Sequence, residues 1–244
     1  MRTLGVVLAR GGSIGIPRKN IRPLGGRPLL AYTADAALAA RLLDRVILST
    51  EDPEIAEVGR RCGLDVPFLR PAELARDDTP SLPVVRHAAT EAESLWGRFD
   101  AVCLLQPTCP FRTADDIDAC VALLDSAGLD SVVTVLPIPH EHHPLWAYYR
   151  EPGGLIRLAS GAAVPPTRRQ DLPPAFHREG SVYVTRRRVL LEEGSLYGGT
   201  TGGVEIDPER SVNLDSLHDW RRAERMLELS RSHGEHECAE SQGS

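Results

Sequence analysis

The 244-residue chain is 42% hydrophobic and 25% charged and carries a formal net charge of −6, which is enough apolar content for one generous globular domain. The acidic balance excludes a general electrostatic footprint for nucleic acid or a membrane surface, so any anionic ligand has to be held locally. Five scattered cysteines, Cys62, Cys103, Cys109, Cys120 and Cys238, lack the paired spacing of a zinc or redox motif and read as idle thiols in a reducing compartment.

From the N-terminus, "GVVLA" is too short for a signal peptide's apolar region, and no apolar stretch is long enough for a membrane span. The expectation is a cytoplasmic protein with neither membrane nor nucleic-acid partner. Short apolar runs, "TLGVVLA", "RVILST", "VPFL", "AVCLLQ" and "SVVTVLP", read as strands buried on both faces. Helical patterns alternate with them, which predicts crossover units feeding a parallel sheet. Leu30, Ala34, Leu38 and Leu42 share one helical face. The next helix has Asp52 as cap, Pro53 in its first turn and Gly63 as stop. Thr113 and Asp116 form a capping box ahead of Ile117, Val121 and Leu124, and Ser216 with Asp219 forms another ahead of Trp220, Ala223 and Leu227.

The alternation breaks after Pro137. Prolines, glycines and histidines dominate to about Thr185, so residues 137–185 read as an inserted arm packed away from the main sheet. The domain then runs to residue 229, and the polar stretch 230–244 reads as a disordered tail. "GGTTGG", residues 198–203, reads as a mobile turn, since neither a cation nor a helix start follows it.

Chemistry concentrates in "LARGGSIGIPRKN", residues 8–20. It leaves the first strand, where sheets of this kind place ligands. Gly11, Gly12 and Ser13 leave the backbone N–H groups open to converge on phosphate oxygens, and Arg10, Arg18 and Lys19 add positive charge. Neither a Walker loop nor G-x-G-x-x-G is present, which argues against an NAD-dependent oxidoreductase. His140, His142 and His143 in "PHEHHP" suit zinc in number, but adjacent histidines in a proline-rich loop are more often solvated.

Taken in order, "LARGGSIGIPRKNIRPLGGRPLL", "VILSTEDPEIAE", "LRPAELARDDTPS", "LLQPTCPFRTADDID", "RRQDLPPAFHREGSVYV" and "SVNLDSLHDWRRAE" resemble the acylneuraminate cytidylyltransferases, the CMP-sialic acid synthetase family, from about Met1 to Leu229. The resemblance implies an α/β fold, a Rossmann-like nucleotidyltransferase with a doubly wound, mostly parallel sheet and a dimerisation arm. It also implies a homodimer and Mg²⁺-dependent transfer of CMP from CTP to an acidic acceptor, with pyrophosphate released. By the same resemblance Arg10, Gly11, Gly12, Ser13 and Lys19 take the triphosphate, Lys19 and Arg10 being catalytic, while Asn20, Arg70 and Ser81 take the cytidine. Gln106, Arg169, His177 and Tyr183 fall on the acceptor side, and Asp215 with Asn213 holds the metal.

The chain departs from the family pattern at several of these places. Ile14 replaces a lysine in the loop, Asn213 the first aspartate of an aspartate-x-aspartate pair, Trp146 a lysine, and His177 and Glu179 an arginine and an asparagine. Arg10, Lys19, Arg70, Gln106 and Asp215 survive together, which argues for altered acceptor choice over decay of the site. The acceptor implied is a nonulosonic acid of the sialic, legionaminic or pseudaminic type. A small phosphonate such as phosphonoformate is the alternative, and a non-catalytic nucleotide-binding dimer the reading of a different class.

Overall fold

In the computed structural model residues 1–13 and 15–241 are described, with 231–241 in backbone only. The strands are β1 (Thr3–Leu8), β2 (Pro23–Leu24), β3 (Arg27–Pro28), β4 (Arg45–Ser49), β5 (Ala101–Leu105), β6 (Ser131–Pro137), β7 (Tyr148–Arg150), β8 (Ile156–Leu158), β9 (Phe176–Arg186) and β10 (Thr201–Glu205). The α-helices are α1 (Leu29–Ala39), α2 (Pro53–Arg61), α3 (Ser81–Trp96), α4 (Ala114–Ser126), α5 (Arg187–Leu191) and α6 (Leu217–Ser241).

The main sheet has the order β10-β6-β9-β5-β1-β4. β1 runs parallel to β4 and β5, and β10 parallel to β6, while β9 is antiparallel between β5 and β6. The sheet is therefore doubly wound and mostly parallel. Alternation in the strands feeds two apolar layers. Leu4, Val6, Val102 and Leu104 meet Val85, Ala88 and Ala92 of α3 on one face. Val7, Cys103 and Leu105 meet Leu30 and Ala34 of α1 and Ile117 and Val121 of α4 on the other. A third cluster joins Ile16, Leu24 and Leu29 to Val212, Leu214, Trp220 and Ala223. That cluster clamps the first loop against the chain's last segment, far away in sequence. Among the described residues no helix is long and apolar enough to cross a membrane.

Several expectations need correction. "VPFL" is not a strand: Pro67 cannot donate to a ladder, and only Asp65 makes an isolated bridge to Ile47. α1 stops at Ala39, leaving Leu38 and Leu42 exposed outside the buried stripe. The arm is shorter than 137–185. Residues 176–185 are most of β9, whose segment Ser181–Thr185 is buried between β5 and β6, because "SVYVT" supplies the apolar and β-branched side chains a central strand needs. Thr201, Gly202 and Gly203 lie in edge strand β10 and not in a turn. The backbone of α6 stays helical to Ser241 where a disordered tail from 230 was expected, since extending a helix already nucleated is cheap; residues 242–244 lie outside the described residues.

Candidate active site

β1 connects to β4 on one side, and β5 lies on its other side, so the strand order reverses at β1 and opens a crevice beyond the strands' carboxyl ends. A cleft of about 360 Å³ fills it, lined among others by Arg10, Ser13, Lys19, Asn20, Arg70, Ser81, Gln106 and Asp215. Residues spread over two hundred positions of sequence thus share one surface.

Arg10 Nη1 donates to the Arg76 carbonyl at 2.9 Å and pairs with Asp77 at 2.9 Å. Buried Asn20 donates through Nδ2 to the Arg10 carbonyl at 3.0 Å, folding the loop back on itself. Gly11 is obligatory: a Cβ there would lie 2.4 Å from Asp52 Oδ2. Its N–H is not an open anion donor, however, because it donates to Glu51 Oε1 at 2.6 Å. The expected cradle of consecutive free amides thus loses Gly11, and of its other members Ser13 lines the cleft. Arg18 also departs from expectation. It adopts φ 54° and turns its guanidinium onto Asp52 and Glu54 at the start of α2, off the cleft. The hydrogen bond to Asp52 holds its pKa up and that of Asp52 down. Ile14 lies outside the described residues.

Lys19 faces the chain's other end. Its side chain is 14% exposed, and Nζ donates to the Leu214 carbonyl at 2.6 Å and lies 3.6 Å from Asp215 Oδ1. Burial pushes the ammonium pKa down, and Asp215 partly restores it. Leu214 N–H donates to the Thr108 carbonyl at 2.8 Å, seating this segment beside the loop after β5. Gly15 is pressed so close to it that a Cβ would lie 2.4 Å from the Asp215 carbonyl oxygen. Asp215, 69% exposed, accepts from Asn213 Nδ2 at 2.6 Å.

Arg70 is held by Glu51 Oε2 at 2.6 Å and by its own N–H to the Thr50 carbonyl at 2.8 Å; its buried Nε has no partner among the described residues. Gln106 is fixed from behind by Arg112, a buried arginine that donates to the Gln106 carbonyl, to Ser181 O at 3.0 Å and to Thr33 Oγ1 at 2.7 Å. Burial lowers the Arg112 pKa. Neither Glu51 nor Arg112 was singled out in the sequence, since each takes its role from partners far away along the chain.

Of the four acceptor-side positions, Gln106 alone lines the cleft of the single chain. Tyr183 points into the core beside Leu104 and Val133, and burial pushes its phenol up to about 12. Arg169 and His177 are exposed on the excursion between β6 and the buried half of β9. His143 departs from the solvated expectation: it is buried, with Nδ1 accepting from Leu145 N–H and Nε2 against the Pro173 carbonyl at 3.0 Å, and with both ring nitrogens so engaged it does not suit zinc either. Among the described residues no group of three or more His, Cys, Asp or Glu side chains is placed to hold a metal. Asp215 suits Mg²⁺ in donor type, because that ion takes one or two carboxylates and completes its shell with substrate phosphates and water, whereas Asn213 turns its Nδ2 to Asp215 and its carbonyl oxygen toward Cys109 Sγ. Cys103, Cys109 and Cys120 are free and buried, with burial raising each thiol's pKa, as idle thiols require.

Residues 4–194 match the family model described as cytidylyltransferase. This chain belongs to the cytidylyltransferase family. Among the family's curated members it is 33% identical to the CMP-N,N'-diacetyllegionaminic acid synthase of Legionella pneumophila, over 94% of this chain and 98% of that one. It is 28% identical to the pseudaminic acid cytidylyltransferase of Campylobacter jejuni, over 94% and 98%. In fold, this cytidylyltransferase superposes on a CMP:2-keto-3-deoxy-manno-octonic acid synthetase complexed with CTP, with a TM-score of 0.71 at 15% identity, over 94% of this chain and all of that one.

Proposed function

We propose that this cytidylyltransferase moves CMP from CTP onto a nonulosonic acid, with pyrophosphate released. The observation that carries the reading is the switch-point cleft, where Arg10, Lys19, Asn20, Arg70, Gln106 and Asp215 converge and a buried arginine Nε is left unpartnered. An unpartnered buried donor is costly unless a ligand fills it, and a pyrimidine carbonyl suits Arg70. The full-length likeness to enzymes named for legionaminic and pseudaminic acids supports the acceptor class.

In the reaction an acceptor hydroxyl oxygen forms a bond to the α-phosphorus of CTP while the bond to the bridging oxygen of pyrophosphate breaks; the hydroxyl proton passes to solvent. Such transfer needs in-line positioning and charge neutralisation more than covalent help. Lys19, held in place by the Leu214 carbonyl, sits where it can meet the charge developing on the phosphates, and Arg10 with the Gly12 and Ser13 amides takes the remainder. Asp215, with Asn213 if its amide turns, would hold Mg²⁺, which would supply neutralisation of phosphate charge. Gln106, braced by Arg112, faces the acceptor. Arg169 stands on the arm and His177 at the exposed start of β9, where a second copy's cleft is the site they can serve, and a homodimer is part of the proposal.

A small phosphonate remains the second reading for one reason. The Trp146 indole is committed to the Pro166 carbonyl at 2.7 Å, and Glu179 to Thr134, Ser181 and Ser211, so neither is spare for a large sugar acid. Pyrophosphate release measured with each of the four NTPs against keto sugar acids and phosphonates decides. Release with CTP and a nonulosonic acid is expected; release with phosphonoformate alone transfers the assignment, and no release with CTP and any acceptor overturns it.

A further inference from the structure

In "STEDPE" three acids crowd the end of β4, and the structure separates them. Asp52 caps α2 through the Glu54 and Ile55 amides and, like Glu54, pairs with Arg18. Glu51 turns the other way. Its carboxylate spans two donors at 2.6 Å each, the Gly11 N–H through Oε1 and Arg70 Nη2 through Oε2. The Arg70 side chain is 3% exposed and that of Glu51 19%. A guanidinium buried so deeply needs a charged partner, and a charge-assisted bond fixes its plane as well as its charge. The backbone bond from Arg70 to Thr50 leaves that plane free to turn, so Glu51 sets it.

We propose that Glu51 is a positioning residue for the nucleotide. One carboxylate ties the start of the phosphate-side loop to the arginine on the opposite wall, aiming the remaining donors of Arg70 into the cleft. Glu51 itself stays behind the lining and touches no ligand. The proposal rests on the CTP reading above for the identity of the ligand. Replacing the carboxylate with an amide of the same size leaves one acceptor oxygen for two donors and sets an NH₂ group against the other.

Glu51→Gln is therefore expected to raise the CTP Kd about tenfold or more, with kcat at saturating CTP within about threefold and the acceptor KM unchanged. The double-mutant cycle with Arg70→Met separates positioning from general damage, because losses that share one route do not add. Additive effects, or a Kd unchanged from the wild-type protein, overturn the proposal. If calorimetry shows no CTP binding by the wild-type protein, the functional reading falls separately. Glu51 is then judged on the Gly11 amide proton resonance, which moves upfield in Glu51→Gln if the 2.6 Å bond to a carboxylate is real and stays in place if it is not.

Discussion

Lys19 is a charge the fold resists and the chemistry needs. Burial depresses its pKa, Asp215 raises it and Arg10 lowers it further. The folded chain then binds fewer protons than the unfolded one between the depressed value and the ordinary lysine value near 10.4, so stability without ligand rises with pH across that window. On the CTP reading proposed above, binding of the triphosphate needs the ammonium and is expected to fail as pH climbs through the same depressed value. Asp215→Asn is therefore expected to move the alkaline limb of CTP affinity to lower pH and Arg10→Ala to move it higher, whatever each does to the plateau. Midpoints read by calorimetry across pH check this, and shifts of one sign in both variants contradict it. At this scale the motifs named the lining well, because Arg10, Lys19, Asn20, Arg70, Ser81, Gln106 and Asp215 all reach one cleft. They could not say which way Arg18 turns, nor that the Gly11 amide is already taken. Orientation in a left-handed residue and pairing with Glu51 are set by packing, and composition does not record them.

Elements were legible where a local rule determined them. The capping box at α4 is one. Thr113 Oγ1 accepts from the Asp116 N–H at 3.2 Å, and Asp116 Oδ2 accepts from the Thr113 N–H at 2.8 Å. The same carboxylate receives Arg210 at 2.9 Å and 3.2 Å, fastening the cap to the segment before Asn213. Burial pushes the Asp116 carboxyl up, but Arg210 and Thr113 outweigh it and leave the pKa below the usual range. Its stabilisation is thus present above the unfolded-state value and is lost as pH falls through the folded one. Thr113→Ala should cost about 1 kcal/mol, a melting shift of about 2–4 °C for a chain this long, with the CTP KM unchanged. Calorimetric melting at neutral pH checks it, and a shift below one degree would show the cap to be redundant with Arg210. β1, β4, β5 and β6 were legible for a similar reason, as apolar runs buried on both sides. β9 was not: it pairs antiparallel with two strands far upstream, and its entry through prolines and Gly180 hid a central strand inside an apparent arm.

At the scale of the whole molecule the arm is the part whose strands stand apart from the main sheet. β7 and β8 pair only with each other among the described strands, and a two-stranded ribbon is marginal in water. The arm carries its own stitching, with Ile138 N–H on the Ala175 carbonyl at 2.8 Å, Trp146 on Pro166 and Arg157 on Glu151 at 2.7 Å. Yet Tyr148, Tyr149, Leu155, Ile156 and Val164 stand exposed on it, with Phe176 at the adjoining start of β9, while Leu158 and His143 are its buried members. Exposed aromatic and aliphatic side chains in that number suit an interface core. On the homodimer reading proposed above, a second copy covers these side chains and Arg169 and His177 serve its cleft. Leu155→Asp with Ile156→Asp is therefore expected to sediment as a monomer where the parent chain sediments as a dimer. The monomer should keep CTP affinity, since the cleft that holds Lys19 and Arg70 is built within one chain, and should lose turnover through a raised acceptor KM. A monomer with the parent's acceptor KM would remove the arm from the site, and a parent chain already monomeric would leave those six side chains to some other surface.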